Sequence, residues 1–216
     1  AHTTNMGAGD AHGRACVLTH SLGVRAGGWT PVFDVQLNTL LGEWDIAFGE
    51  PHVLDNAHEQ LDELVMRDRS RASVIFWSVA NETLPSPERT AFLTSLAERA
   101  RELDPTRLVS AALLTMPTAE SHHEIDDPLG EVVDVIAVNQ YLGWYYGERE
   151  MIPETTWSTP FDKPIVFTEM GGGAKAGNHG SEDQIWTEEL QAALYRAQIA
   201  MVENNRSDTG RGAVAG

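Results

Sequence analysis

Two carboxylates stand where the preceding sequence makes a charge costly. Asn81 and Glu82 follow the run "VIFWSVA", and Glu169 follows "PIVFT". Burial disfavours the charged form of such a group, so a glutamate ending an apolar strand asks for a use. In parallel α/β folds ligands lie at the carboxyl ends of the strands, and in a (β/α)8 barrel those ends gather at one mouth. Two glutamates 87 positions apart can then face one pocket. One carboxyl group that holds a proton, beside one that is ionised, is the equipment for cleaving a glycosidic bond. Either glutamate alone reads equally well as a surface residue or a helix-cap partner. The pair, each led in by an apolar strand, points to chemistry.

Strands and helices must alternate to hold such a pair, and the hydrophobic periods predict that they do. Leu54, Ala57, Leu61, Leu64 and Val65 form one stripe of a helix over 54–69. The run "SVIFWSV" (73–79) is continuous and β-branched, which predicts a strand covered on both faces. A helix over 86–105 follows, with Ser86 as N-cap, Pro87 in its first turn, Pro105 as the stop and Phe92, Leu96, Ala100 and Leu103 inward. "RLVSAALL" (107–114), "VVDVIAVNQY" (132–141) and "KPIVFTEM" (163–170) read as three more strands. A last helix is predicted over 181–204, opened by a Ser181–Gln184 capping box and turning Trp186, Leu190, Ala193, Leu194, Ala197 and Met201 inward. Buried strands alternating with amphipathic helices imply a parallel sheet with helical cover.

Composition narrows the partners. The chain of 216 residues is 42% hydrophobic, enough for a packed core. A net charge of -17 argues against a nucleic-acid backbone or an anionic membrane as main partner. Asp10, Asp34, Arg14 and Arg25 balance within the first 40 residues, so the excess charge lies entirely after them. Residues 1–40 therefore read as atypical, poorly ordered sequence, and the small, polar, Gly-rich stretch 204–216 as a flexible tail. The single cysteine, Cys16, excludes an intrachain disulfide and a cysteine-based zinc site. No apolar run approaches the roughly 18 residues of a membrane span, and the N-terminus lacks the apolar middle of a signal peptide, which reads as a cytoplasmic protein.

Three longer motifs carry a resemblance. "RDRSRASVIFWSVANET", "DVIAVNQYLGWYYG" and "KPIVFTEMGGGAKAGNHG" are similar to the catalytic (β/α)8 barrel of glycoside hydrolase family 2, above all to its β-glucuronidase- and β-galactosidase-like members. The likeness runs from about residue 41 to about residue 203. It implies that the four strands are strands four to seven of that barrel, with Glu82 as general acid/base and Glu169 as nucleophile of a retaining mechanism. It further implies that Asn81 contacts the sugar 2-hydroxyl, that Tyr141 orients Glu169, and that Asn139 and Tyr145 line the subsite. No metal or organic cofactor is needed for this chemistry. The fold expected is α/β, a partial (β/α)8 barrel incomplete at both ends, with a fifth strand in "TPVFDVQL" (30–37) as its only other candidate. Such a sheet leaves edges at which the chain could self-associate.

Other features are read beside these. Trp44, Trp144 and Trp157 could stack on sugar rings or belong to the core. His179 lies in the Gly-rich loop after Glu169, near the expected mouth, where it could touch substrate. "GGGAKAG" (171–177) lacks the Gly-Lys-Ser/Thr ending of a phosphate loop and reads as a flexible active-site loop. "HHE" (122–124) reads as a solvated loop rather than a metal site. The function expected is hydrolysis of a β-glycoside with a two-glutamate double displacement. The alternative is a carbohydrate-binding remnant that keeps the carboxylates without turnover.

Overall fold

A computed structural model describes residues 47–115 and 121–206, together with the backbone of four N-terminal strands and of residues 117–119. Trp44 and residues 207–216 lie outside the described residues. The N-terminal strands pair antiparallel in twos: β1 (Thr3–Gly9) with β2 (Ala15–Ser21), and β3 (Trp29–Thr30) with β4 (Val35–Gln36). The single strand expected over 30–37 is thus replaced by two short strands that pair with each other. Pro31, between them in sequence, has no N–H to give to a ladder.

The chain divides into two compact units, residues 1–112 with 127–134, and residues 113–126 with 135–216. In the first, α1 (Pro51–Asp68), β5 (Phe76–Asn81), α2 (Pro87–Leu103) and β6 (Leu108–Leu113) follow one another. Helix α2 begins as its sequence predicts: Ser86 Oγ accepts from Arg89 N at 3.0 Å, and Pro87 occupies the first turn. Its buried side is Phe92, Leu93, Leu96, Ala97 and Ala100. Helix α1 contributes Leu61 and Val65 to the core and is tied to α2 by a forked Arg99–Asp62 pair (2.8 and 2.7 Å). Strands β5 and β6 run parallel, with a register shift between Ser78 and Asn81. Trp77 is buried while Ser78, on the opposite face, is exposed, so β5 is not covered on both faces. Among the described residues it pairs only with β6, which is why an apolar run alone overstated its burial.

In the second unit, β9 (Val135–Asn139), buried along its whole length, pairs in parallel with β11 (Ile165–Glu169). A small sheet in the order β10 (Thr156–Ser158), β8 (His122–Glu124), β7 (Pro117–Ala119) lies in the same unit. His122–Glu124 is therefore a strand and not a loop; three residues are too few to show a period. His123 is 2% exposed and stacks on Trp157 at 4.2 Å.

Helix α3 runs Glu188–Asn204, seven residues shorter at its start than the capping-box motif predicts. Thr187 is the N-cap, accepting from Leu190 N at 3.1 Å. Trp186 sits at φ 68°, a left-handed backbone that no helix tolerates, and Gln184 N returns to Ser181 O in a turn. Trp186 consequently lies ahead of the helix and is 51% exposed. The buried side of α3 is Ala193, Leu194, Gln198 and Met201. Among the described residues no helix is long and apolar enough to cross a membrane.

Candidate active site

Both glutamates stand at the C-terminal end of a parallel strand, and in both strands the ladder slips just before them. The shift lies between Ser78 and Asn81 in β5 and between Phe167 and Glu169 in β11. Such irregularities bend a strand and re-aim the side chains that follow.

In the first unit, Glu82 N donates to Ala112 O at 2.8 Å, which fixes the residue at the end of β6. Its φ is 49°, a left-handed conformation uncommon for a residue with a Cβ. Conformations of this kind cost about 1–3 kcal/mol and persist where the surroundings enforce them. The enforcing group follows at once. Thr83 is buried, and its Oγ1 accepts from Arg89 Nε at 2.8 Å. Arg89 is fully buried in the first turn of α2, and its Nη1 meets Asp127 Oδ1 at 2.7 Å. The same Asp127 oxygen accepts from Leu129 N at 2.9 Å, capping a short 3-10 helix, Pro128–Glu131. None of Thr83, Arg89 and Asp127 was expected from sequence. One signal was available: Arg89 continues the Phe92–Leu96–Ala100 stripe, the apolar face of α2, where an unpaired charge would not be tolerated.

In the second unit, Tyr141 donates its hydroxyl to Glu169 Oε2 at 2.7 Å. An ionised carboxylate can only accept, so this donor suits a charged Glu169. Gln140 N donates to Glu169 O at 3.0 Å, holding the backbone of the two strand ends together. Asn139 is 6% exposed, and its Oδ1 accepts from Thr168 Oγ1 at 2.8 Å. The Tyr141 and Tyr145 rings lie 4.9 Å apart, and Tyr145 is 74% exposed. From Tyr145 the aromatic surface continues to Trp144 (6.2 Å) and then edge-on to Trp186 (5.0 Å). Trp157 is 1% exposed, with Nε1 directed at Met201 Sδ, so of its two readings the core one holds.

The glycines after Glu169 serve close packing. A Cβ on Gly172 would lie 2.6 Å from Leu194 Cδ1, and one on Gly173 would lie 2.6 Å from the Trp186 ring. His179, farther along, is bound to the first turn of α3, with Nδ1 2.9 Å from Glu189 Oε1. The hydrogen bond and charge of Glu189 raise the pKa of this exposed imidazole above its ordinary value. His122 is taken up by Thr156 and Ser158 hydroxyls (2.8 and 3.1 Å). Among the described residues no group of three or more His, Cys, Asp or Glu side chains is arranged to hold a metal ion.

Known proteins resemble this chain in sequence and in fold. The family model "Glycosyl hydrolases family 2, TIM barrel domain" matches residues 16–213, a wider span than the motifs of residues 41–203. The chain is 34% identical over 160 residues to a beta-glucuronidase of Rattus norvegicus, covering 69% of this chain and 24% of that protein. It is 36% identical over 154 residues to a beta-glucuronidase of Streptococcus agalactiae, covering 64% and 24%. Among solved structures, the beta-D-glucuronidase of Dictyoglomus thermophilum superposes with a TM-score of 0.55 at 27% identity, over 71% of this chain and 27% of the other. The chain spans about a quarter of the length of the curated relatives it matches.

Proposed function

Because this chain belongs to glycosyl hydrolase family 2 and shares its TIM barrel domain, we propose that it carries the two carboxylates of a retaining β-glycosidase of β-glucuronidase-like type. Glu169 is the nucleophile and Glu82 the acid/base. The observation that carries the reading is the Tyr141 hydroxyl on Glu169 at the end of β11, one of two parallel strands that close on a glutamate. In a (β/α)8 barrel that end of the strands is where chemistry is done.

Two steps follow. Glu169 attacks the anomeric carbon while Glu82 gives its proton to the glycosidic oxygen; the carbon–oxygen bond breaks and the aglycone leaves as an alcohol. Glu82, now a carboxylate, takes a proton from water as the water oxygen attacks the same carbon. The bond to Glu169 breaks and the sugar leaves with its β configuration kept. Tyr141 holds the attacking carboxylate by the oxygen it donates to. We assign Asn81, Asn139 and Tyr145 to the sugar subsite on the family resemblance, and His179 and Trp144 to its border on their positions after Glu169 and beside Tyr145.

The test is turnover of aryl β-glucuronides by the protein that carries this segment, with Glu169 altered. Glu169→Gln is expected to abolish turnover. Glu169→Gly is expected to regain it with azide, which fills the space of the lost carboxylate and yields the α-glycosyl azide. Near-normal rates in Glu169→Gln would refute the assignment. Sugar binding with no turnover in the unaltered protein would favour a carbohydrate-binding remnant.

A further inference from the structure

We propose that Arg89 and Thr83 form a positioning clamp for Glu82, an inference that rests on the acid/base role given to Glu82 above. A general acid must present its proton along the line of the leaving oxygen, and small displacements are costly: about 1 Å can cost on the order of a hundredfold in rate. Glu82 has two features that work against holding still. It ends a strand whose ladder has already slipped, and its backbone sits at φ 49°. On the β6 side its N–H donates to Ala112 O at 2.8 Å. On its other side is Thr83.

Thr83 is anchored by a charge. The Arg89 guanidinium is 0% exposed and gives Nε to Thr83 Oγ1 and Nη1 to Asp127 Oδ1, at 2.8 and 2.7 Å. A guanidinium is planar and rigid, so these two bonds fix its orientation together. Arg89 is itself held from behind, since its backbone N–H is spent on the Ser86 cap at the start of α2. Asp127 is equally fixed, by the cap it gives to Leu129. Each link from α2 to Thr83 is buried, so water cannot replace a broken bond.

Burying a charged pair is seldom a source of net stability; apolar residues of like volume often serve as well. The guanidinium also leaves Nη2, and Asp127 leaves Oδ2, without a protein hydrogen-bond partner among the described residues. A network with two spare polar atoms is a poor device for stability alone. It is a good one for directional hold on the single residue that follows the acid.

Leaving-group dependence separates positioning from folding. A dinitrophenyl β-glucuronide departs without proton donation, whereas a methyl β-glucuronide needs the acid. In the protein carrying this segment, Thr83→Val keeps the shape and removes the acceptor. It is expected to lower turnover of the methyl glycoside by about 10- to 100-fold while leaving the dinitrophenyl glycoside nearly unchanged. Thr83→Ser, which keeps the oxygen, is expected to restore the methyl glycoside rate. Hydrogen exchange supplies a reading apart from activity: the Glu82 amide should exchange faster in Thr83→Val and not in Thr83→Ser. Glu82→Gln calibrates the series. If it spares the methyl glycoside, the acid role of Glu82 falls and this inference with it. If it shows the expected dependence and Thr83→Val does not, or if Thr83→Val lowers both substrates alike, the clamp alone is overturned.

Discussion

The buried imidazole of His123 makes the second unit sensitive to acid, by an amount the structure lets one work out. Burial lowers its pKa from 6.5 to about 4, and the neighbouring His122 adds to the effect. The ring lies flat on Trp157, 14° from parallel, with Tyr146 at 6.2 Å, and its Nδ1 has no hydrogen-bond partner among the described residues. Above pH 6.5 the folded and unfolded chains both hold this histidine neutral, and its contribution to stability is complete. As the pH falls below 6.5 the unfolded chain takes up a proton that the folded chain refuses, so stability is lost until the folded form also titrates near pH 4. At about 1.4 kcal/mol per pKa unit, the full loss is roughly 3 kcal/mol, of which about 2.5 is gone by pH 4.5. With a urea slope of about 1–3 kcal/mol per molar, the midpoint should fall by about 1 M or more between pH 7.5 and 4.5. The control is His123→Phe, which keeps an aromatic face against Trp157 and cannot titrate. Urea unfolding followed by tryptophan fluorescence at the two pH values, in both proteins, isolates the effect. Other groups cancel in that difference, including His179, whose raised pKa acts with the opposite sign. An equal fall of the midpoint in His123→Phe and in the unaltered chain would show that the ring is not protected from protonation.

Two further predictions concern stability. Asp104 is 4% exposed; burial pushes its pKa up, but hydrogen bonds from Thr106, Arg107 and Trp77 bring it down to about 2. The stability it lends is therefore complete above pH 3.8 and lost as the pH falls towards 2, and Asp104→Ala should cost about 2–4 kcal/mol at pH 7 by removing the carboxylate that accepts from Trp77, Thr106 and Arg107. A urea midpoint at pH 7 that moves by less than 0.5 M, at the slope of about 1–3 kcal/mol per molar, would contradict this. Gly172→Ala should cost about 1–3 kcal/mol, because its Cβ would meet the fully buried Leu194 at 2.6 Å. A thermal unfolding midpoint unchanged from that of the parent would mean that the loop has slack the packing does not show.

Local sequence determined a good deal of this protein. The start of α2 was legible because a cap is local: Ser86, Pro87 and the stripe from Phe92 to Ala100 lie within four turns. The parallel strands that end on Glu82 and Glu169 were legible as short runs of apolar, β-branched and aromatic residues, and the motifs around them pointed to the family. The boundaries that failed did so where a local signal met a competing backbone demand. The Ser181–Gln184 spacing allows a capping box, but the left-handed Trp186 forbids a helix through it, and Thr187 caps α3 instead. Tertiary structure alone decided the partners. Arg89 meets Asp127 across 38 positions, and no period or spacing encodes a pair so distant; the Tyr141–Glu169 bond, across 28, was expected from the family resemblance and from no period or spacing. Likewise "HHE" carries no mark of which histidine is buried; pairing with β10 puts His122 on two hydroxyls and lays His123 against Trp157. A side chain's type is written at its own position, but its hydrogen-bond partner and its exposure to water are set by what the fold brings beside it.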